Sequence, residues 1–368
     1  MDSVSQIALG AAVGIATMGR RTAVWKAALW GGVAGTLPDL DVLIDHGDAV
    51  RNMVLHRAET HAPFWLSLLS LPFAVAVARL HGEWANWKRW WLAIWLALIT
   101  HPLLDVMTVY GTQLALPFSD YPFAVGSVFI IDPLYTLPLL VGAGWALAAS
   151  EKGERNGLVS RRGMRANTIG LVLSTVYLAW GVLAQQHVTR VATATLAAQG
   201  IAAEHVLVTP SAFNSLLWRV VVVSGDSYLE GFHSFLDRPA VATPDTPPTI
   251  RFERYPRGNA LAAELAQDDA VRRIRNFSKG FYALRMDGTR VRITDLRMGQ
   301  EPNYIFSFAV AERHSPAGPR AVPLAKPEQI GARPDIACGL PWIWRRMWGE
   351  PLPPLARFCA GTTAAPGR

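Results

Sequence analysis

Three close pairs of histidine and aspartate residues in the first third of the chain are candidates for a metal site. His101 and Asp105 are four residues apart, so on a helix they share one face and can reach one ion. Asp39 and Asp41 are two apart behind Pro38, which suits a turn or helix break better than a regular helix. His56 and His61 are five apart and would splay on an ideal helix. Either the backbone there is irregular, or one histidine is a ligand and the other moves protons. Asp132, ahead of Pro133, completes a set of seven candidate ligands. Mixed imidazole and carboxylate donors suit zinc, with manganese or iron as alternatives, better than calcium. A metal with an open position acidifies bound water and polarises an ester or phosphoryl oxygen. His56, His61 or Glu59 would then handle protons, and Arg57 would engage an anionic group such as phosphate. The chemistry implied is metal-assisted hydrolysis.

Each piece has a plainer explanation when taken alone. A single His–x–x–x–Asp can be a buried helix–helix hydrogen bond, and a lone Pro-Asp can cap a helix. His81, His187, His205 and His233 read as such bystanders. The seven candidates differ in where they fall along the chain. Crossing a bilayer takes about 20 mostly apolar residues. Segments at about 23–44, 63–81, 90–109, 127–149 and 166–186 meet or approach that length, and 4–18 is a shorter companion that spans, re-enters or lies at the interface. Gly10, Ala11, Ala12 and Gly14 suit close packing of that first segment against another helix. Arg20 and Arg21 follow it rather than precede it, unlike a secretory signal, so it is expected to be retained.

Basic residues cluster in alternate loops. Arg20, Arg21 and Lys26 form one group, Arg79, Lys88 and Arg89 a second, and Lys152, Arg155, Arg161, Arg162 and Arg165 a third. The positive-inside rule puts these loops in the cytoplasm, and loops 45–62 and 108–126 with everything after residue 187 outside. All seven candidates then reach one depth, at the outer membrane face. Ionisable groups beside apolar spans are expensive and by default mark function. The net charge of +7 is absorbed by these loops, and no basic patch interleaved with aromatics points to nucleic acid.

The expected architecture is an α-helical membrane domain of five to six helices over residues 1–187. It is followed by a small extracytoplasmic, mainly β (α+β) domain over 188–368. Runs at Leu217–Val223, Thr249–Tyr255, Gly280–Arg285 and Tyr304–Val310 read as strands, with a turn at Asp287-Gly288 and helix around 257–275. The proline-rich tail after about 314 reads as irregular. Cys338 and Cys359 are the two cysteines, and in an oxidising compartment they are expected to pair.

The start of the chain, Met1 to Gln6 with Ala8-Leu9-Gly10-Ala11-Ala12, resembles the YdjM-type family of inner-membrane metal-dependent hydrolases. The likeness continues in order through Gly35-Thr36-Leu37-Pro38-Asp39-Leu40-Asp41, His56-Arg57, Thr60-His61 and His101-Pro102-Leu103-Leu104-Asp105. Tyr110-Gly111-Thr112, Leu116-Pro117-Phe118 and Ile131-Asp132-Pro133 follow, so the resemblance covers roughly residues 1–150. It implies a bacterial inner-membrane protein with a metal site at Asp39, Asp41, His56, His61, His101 and Asp105, with Gln6 and Asp132 as companions. Ala62 departs from the serine found in many members at that place. Three functions compete: hydrolysis of a membrane lipid or lipid-linked substrate, metal or proton transport, and a non-catalytic scaffold with a structural metal.

Overall fold

The computed structural model describes residues 1–150, 157–237, 250–313, 320–331 and 335–363. Lys152, Arg155 and Thr249 lie outside the described residues. The chain forms two compact units, one of residues 1–44 and 56–182, the other of 45–55 and 183–368.

The first unit is helical. Its elements are α1 (Ser3–Met18), α2 (Val24–Thr36), α4 (Pro63–Leu80), α5 (Trp87–Val106), α6 (Pro133–Ala148) and the first part of α7 (Arg161–Ala198). Helix α3 (Ala49–Leu55) belongs to the second unit. Among the described residues two helices, α4 and α7, are long and apolar enough to cross a membrane; α1 and α6 are apolar but 16 residues each. The expected run 23–44 is not one span. Helix α2 stops at Thr36, and Leu37–Leu43 is a 3-10 segment. Pro38 lacks an N–H and clashes with the preceding turn, so the α-helix cannot continue through it. The run expected at 127–149 likewise starts late, at Pro133, with Asp132 as the N-cap.

Helices α1 and α2 touch backbone to backbone. A Cβ on Gly10 would sit 2.2 Å from the Gly31 carbonyl oxygen, and one on Gly14 would sit 2.2 Å from that of Ala27. Only glycine permits this approach, and it brings the N-terminal end of α1 against the C-terminal end of α2.

The second unit is β-rich. Strands β1 (His205–Pro210), β2 (Leu217–Ser224), β3 (Ser227–Ser234) and β4 (Phe252–Pro256) form an antiparallel sheet in chain order. After α8 (Asn259–Glu264) and α9 (Asp269–Phe277) come β5 (Tyr282–Asp287), β6 (Arg290–Asp295), the two-residue β7 (Gly299–Gln300) and β8 (Asn303–Tyr304), β9 (Ser307–Glu312) and β10 (Val322–Gln329). The second sheet has the order β10-β9-β6-β5, and β7 pairs with β8. The unbroken apolar run of β2 reflects burial on both faces. Val220 and Val222 pack with Ala184, Val188, Ala192 and Leu196 of α7, whereas Val221 and Val223 pack with Phe281, Ala283 and Leu296 beside the second sheet.

The tail expected to be irregular is partly ordered. Beyond β10 it forms α10 (Ile336–Met347) and α11 (Leu355–Thr363). The Asp335 side chain caps α10, Trp342 is buried, and a Cys338–Cys359 disulfide joins the two helices. The proline count concealed this, because Pro341 is accommodated within α10 and the helix is stabilised by its buried face.

Candidate metal centre

The helix break after α2 and the short 3-10 turn Glu59–His61 present side chains to the face of α5 that carries His101 and Asp105. Four atoms converge. Nε2 of His61 and Nε2 of His101 are 3.1 Å apart, each lies 3.4 Å from Asp39 Oδ1, and each lies 3.3 Å from Asp105 Oδ2. His61, His101 and Asp105 are fully buried, whereas the Asp39 side chain is 17% exposed.

The surrounding hydrogen bonds determine what those atoms can do. His101 Nδ1 lies 2.6 Å from the carbonyl oxygen of Gly35, which can only accept. The proton of a neutral His101 is therefore on Nδ1, and the Nε2 lone pair faces the cluster. Thr60 donates its hydroxyl to Asp41 Oδ2 at 2.8 Å, so its oxygen accepts from His61 Nδ1 at 3.0 Å. His61 then also turns a lone pair inward. Asp105 Oδ2 is buried with no hydrogen-bond partner among the described residues. Four acceptor atoms thus face one another within 4.8 Å. Without a cation among them they repel, and an orphaned buried carboxylate oxygen is costly.

The residues present fit a divalent metal. Five of the six spacings run from 3.1 to 3.4 Å, and the sixth, between Asp39 and Asp105, lies within 4.8 Å. A tetrahedron of N and O ligands at about 2.0–2.1 Å has edges of roughly 3.3 Å. Two imidazoles and two carboxylates, each imidazole anchored through its other nitrogen, form the donor set and outer support that transition metals use.

The remaining candidates surround this core or lie away from it. Asp41 is held by His56 Nδ1 at 2.8 Å, the Arg57 backbone N–H at 2.9 Å and Thr60, and serves as the hub of the 56–61 loop. Arg57 has a left-handed φ of 65°. Its guanidinium is buried, 3.3 Å from Asp105 Oδ1 and over the Tyr110 ring, and donates to Thr108. Gln6 donates to the same Asp105 oxygen at 3.1 Å and to the His101 carbonyl at 3.3 Å, and the Met1 α-amino group also meets Asp105 Oδ1. Glu59 is exposed. Asp132 caps α6 and accepts from Tyr177 at 2.8 Å, so its carboxylate is engaged away from the four converging atoms. Of the bystander histidines, His81 accepts from Trp30 at 2.7 Å.

Sequence reasoning missed Thr60 and the Gly35 carbonyl. Thr60 carried a signal, because a hydroxyl next to a ligand histidine is a natural outer support. The carbonyl carried none, since every residue has one.

Fold and site together define a helical protein with a buried imidazole–carboxylate cluster able to hold a metal ion, joined to a β-rich C-terminal domain. The family model described as YdjM inner membrane protein matches residues 1–188, and the chain belongs to that family. The chain is also similar to the uncharacterized protein YfhP of Bacillus subtilis (strain 168). The two are 30% identical over 146 residues, covering 36% of this chain and 42% of YfhP. The match therefore spans less than half of that relative's length. No solved structure matches the chain.

Proposed function

We propose that the protein is an integral inner-membrane, metal-dependent hydrolase acting at the outer face on a lipid or lipid-linked ester or phosphoester. The observation that carries the metal is the quartet of inward-facing acceptors, Asp39, His61, His101 and Asp105, with no donor on Asp105 Oδ2 among the described residues. A divalent transition metal, zinc before manganese or iron, would supply Lewis acidity and acidify bound water.

The chain's own residues divide the remaining work. His56 hydrogen-bonds Asp41 through Nδ1, which leaves Nε2 on a partly exposed ring to move a proton. His61 and His101 are fixed by Thr60 and Gly35. Arg57 acts as a positioning residue, because its guanidinium holds Asp105 rather than facing outward. Asp39 forms the accessible edge of the cluster. An outer location for the site and the C-terminal domain is supported by the alternation of basic loops and by the Cys338–Cys359 disulfide, which persists in oxidising compartments.

One observation favours a second reading. Three of the four ligand side chains are fully buried, as in closed structural sites. The protein would then be a scaffold whose metal holds the 56–61 loop. Elemental mass spectrometry on wild type, His101→Ala and Asp39→Ala tests the metal: bound in wild type and lost in both variants is expected. A metal-free wild type after reconstitution defeats both readings. Release of product from phospholipid or other ester substrates by the metal-loaded wild type, absent in His56→Ala with metal retained, selects the hydrolase.

A further inference from the structure

A small pocket in the C-terminal domain is lined by Tyr228 of β3, by Ala283, Arg285, Arg292, Thr294 and Ser307 of the second sheet, and by Leu296, Glu301, Pro302 and Tyr304. Within that sheet Arg285 and Arg292 are direct cross-strand partners, and Thr294 pairs with both Ala283 and Ser307. Like charges placed opposite each other destabilise a sheet unless something between them compensates.

Arg285 is compensated by Glu301 at 2.9 Å and by the Tyr228 hydroxyl. Among the described residues, Arg292 has as its ionic partner only Asp287 at 3.6 Å, a contact too long for a hydrogen bond, with a carboxylate that is mostly exposed. Both Nε atoms are buried and lack hydrogen-bond partners among the described residues. The charged lining is Arg285, Arg292 and Glu301, which leaves one positive charge in excess. The Thr294 and Ser307 hydroxyls, 2.9 Å apart, form the floor with the small Ala283. Guanidinium forks beside hydroxyls, with small residues leaving room above them, are suited to an oxyanion.

We propose that this cavity binds a small oxyanion group, a carboxylate or a phosphate, anchored by Arg292 and assisted by Arg285, Thr294 and Ser307. Burial lifts the Tyr228 hydroxyl above its ordinary range, so it stays protonated and adds no negative charge to the pocket. The site does not depend on the metal cluster and goes beyond the hydrolase reading.

The test is calorimetric titration of the full-length protein in detergent with acetate, inorganic phosphate and glycerol 3-phosphate at constant ionic strength. Saturable binding of at least one probe is expected. Arg292→Gln should weaken it about tenfold or more, the scale of a lost charge-assisted pair. Thr294→Val, which keeps the shape, should weaken it roughly two- to tenfold. Arg290→Gln removes an equal charge from an arginine on the same strand that pairs with Glu328, and should leave binding unchanged. Acetate alone identifies a carboxylate ligand, free phosphate alone an inorganic one, and glycerol 3-phosphate an ester-linked headgroup. No saturable binding by any probe, or equal affinities across wild type, Arg292→Gln and Thr294→Val, overturns the proposal.

Discussion

Replacing Gly35 by alanine adds one methyl group at the end of α2, on a residue that is not itself a ligand. The new Cβ would lie 2.6 Å from the Gln6 carbonyl oxygen and 3.0 Å from Gly10 Cα, both backbone atoms of α1. Neither can rotate away, so α1 and α2 must separate by roughly half an ångström in a close-packed interior. Gln6 donates to Asp105 at 3.1 Å and to the His101 carbonyl at 3.3 Å. The same displacement stretches these contacts to about 3.6 Å or more, where they cease to be hydrogen bonds. The Gly35 carbonyl that fixes His101 moves with them. Overpacking of this kind costs about 1–3 kcal/mol, and loss of outer support weakens metal binding about 10- to 100-fold. Chelator competition and thermal unfolding, run in one detergent, measure both effects. Gly144→Ala on α6 is the control, because its added Cβ meets nothing within 4 Å and it should leave metal affinity intact. Gly35→Ala with wild-type affinity and wild-type stability would refute the claim that the glycine contact between α1 and α2 positions the site.

Further predictions separate the hub from the cap and extend beyond the site. Asp41→Asn removes the charged acceptor of His56, Arg57 and Thr60 and should lower metal affinity about 10- to 100-fold; Asp132→Ala should leave that affinity unchanged while losing about 1 kcal/mol of α6 capping, read by thermal unfolding. Glu83 is partly desolvated, which opposes ionisation, yet Thr22, Lys26 and Trp90 donate to it and hold its carboxyl below the usual range. With the folded value depressed, its contribution is present above the unfolded pKa and fades as pH falls through the folded one, so Glu83→Gln should flatten the acid limb of a stability-versus-pH curve. Cys338→Ser should remove the cross-link across a separation of 21 residues, for about 3 kcal/mol on the chain-entropy scale, and hydrogen exchange should then speed up in α10 and α11 before β2.

Much of the local structure was legible in residue order. A proline before two aspartates announced the break after α2, and apolar runs located the helices. The β2 run LWRVVVV read as a strand, which the structure buries on both faces, and the two cysteines form the disulfide. These features depend on interactions within a few residues or on composition, and periodicity records such interactions. The proline-rich tail was misread for a related reason: proline content is local, whereas α10 is stabilised by Trp342 and by its cross-link to α11.

The sequence by itself determined which groups were available: imidazoles and carboxylates set beside apolar segments, where an unpaired charge is too expensive to be incidental. Only the tertiary structure decided how they divide. It brought Asp39, His61, His101 and Asp105 together, made Asp41 the hub of a loop, turned Arg57 inward onto Asp105, and left Asp132 capping a helix. That division rests on contacts between residues tens of positions apart. The glycine seam of α1 and α2 places the Gly35 carbonyl on His101, and a left-handed Arg57 aims the 56–61 loop. Convergence of this kind follows from packing distances between helices, which spacing along the chain does not encode.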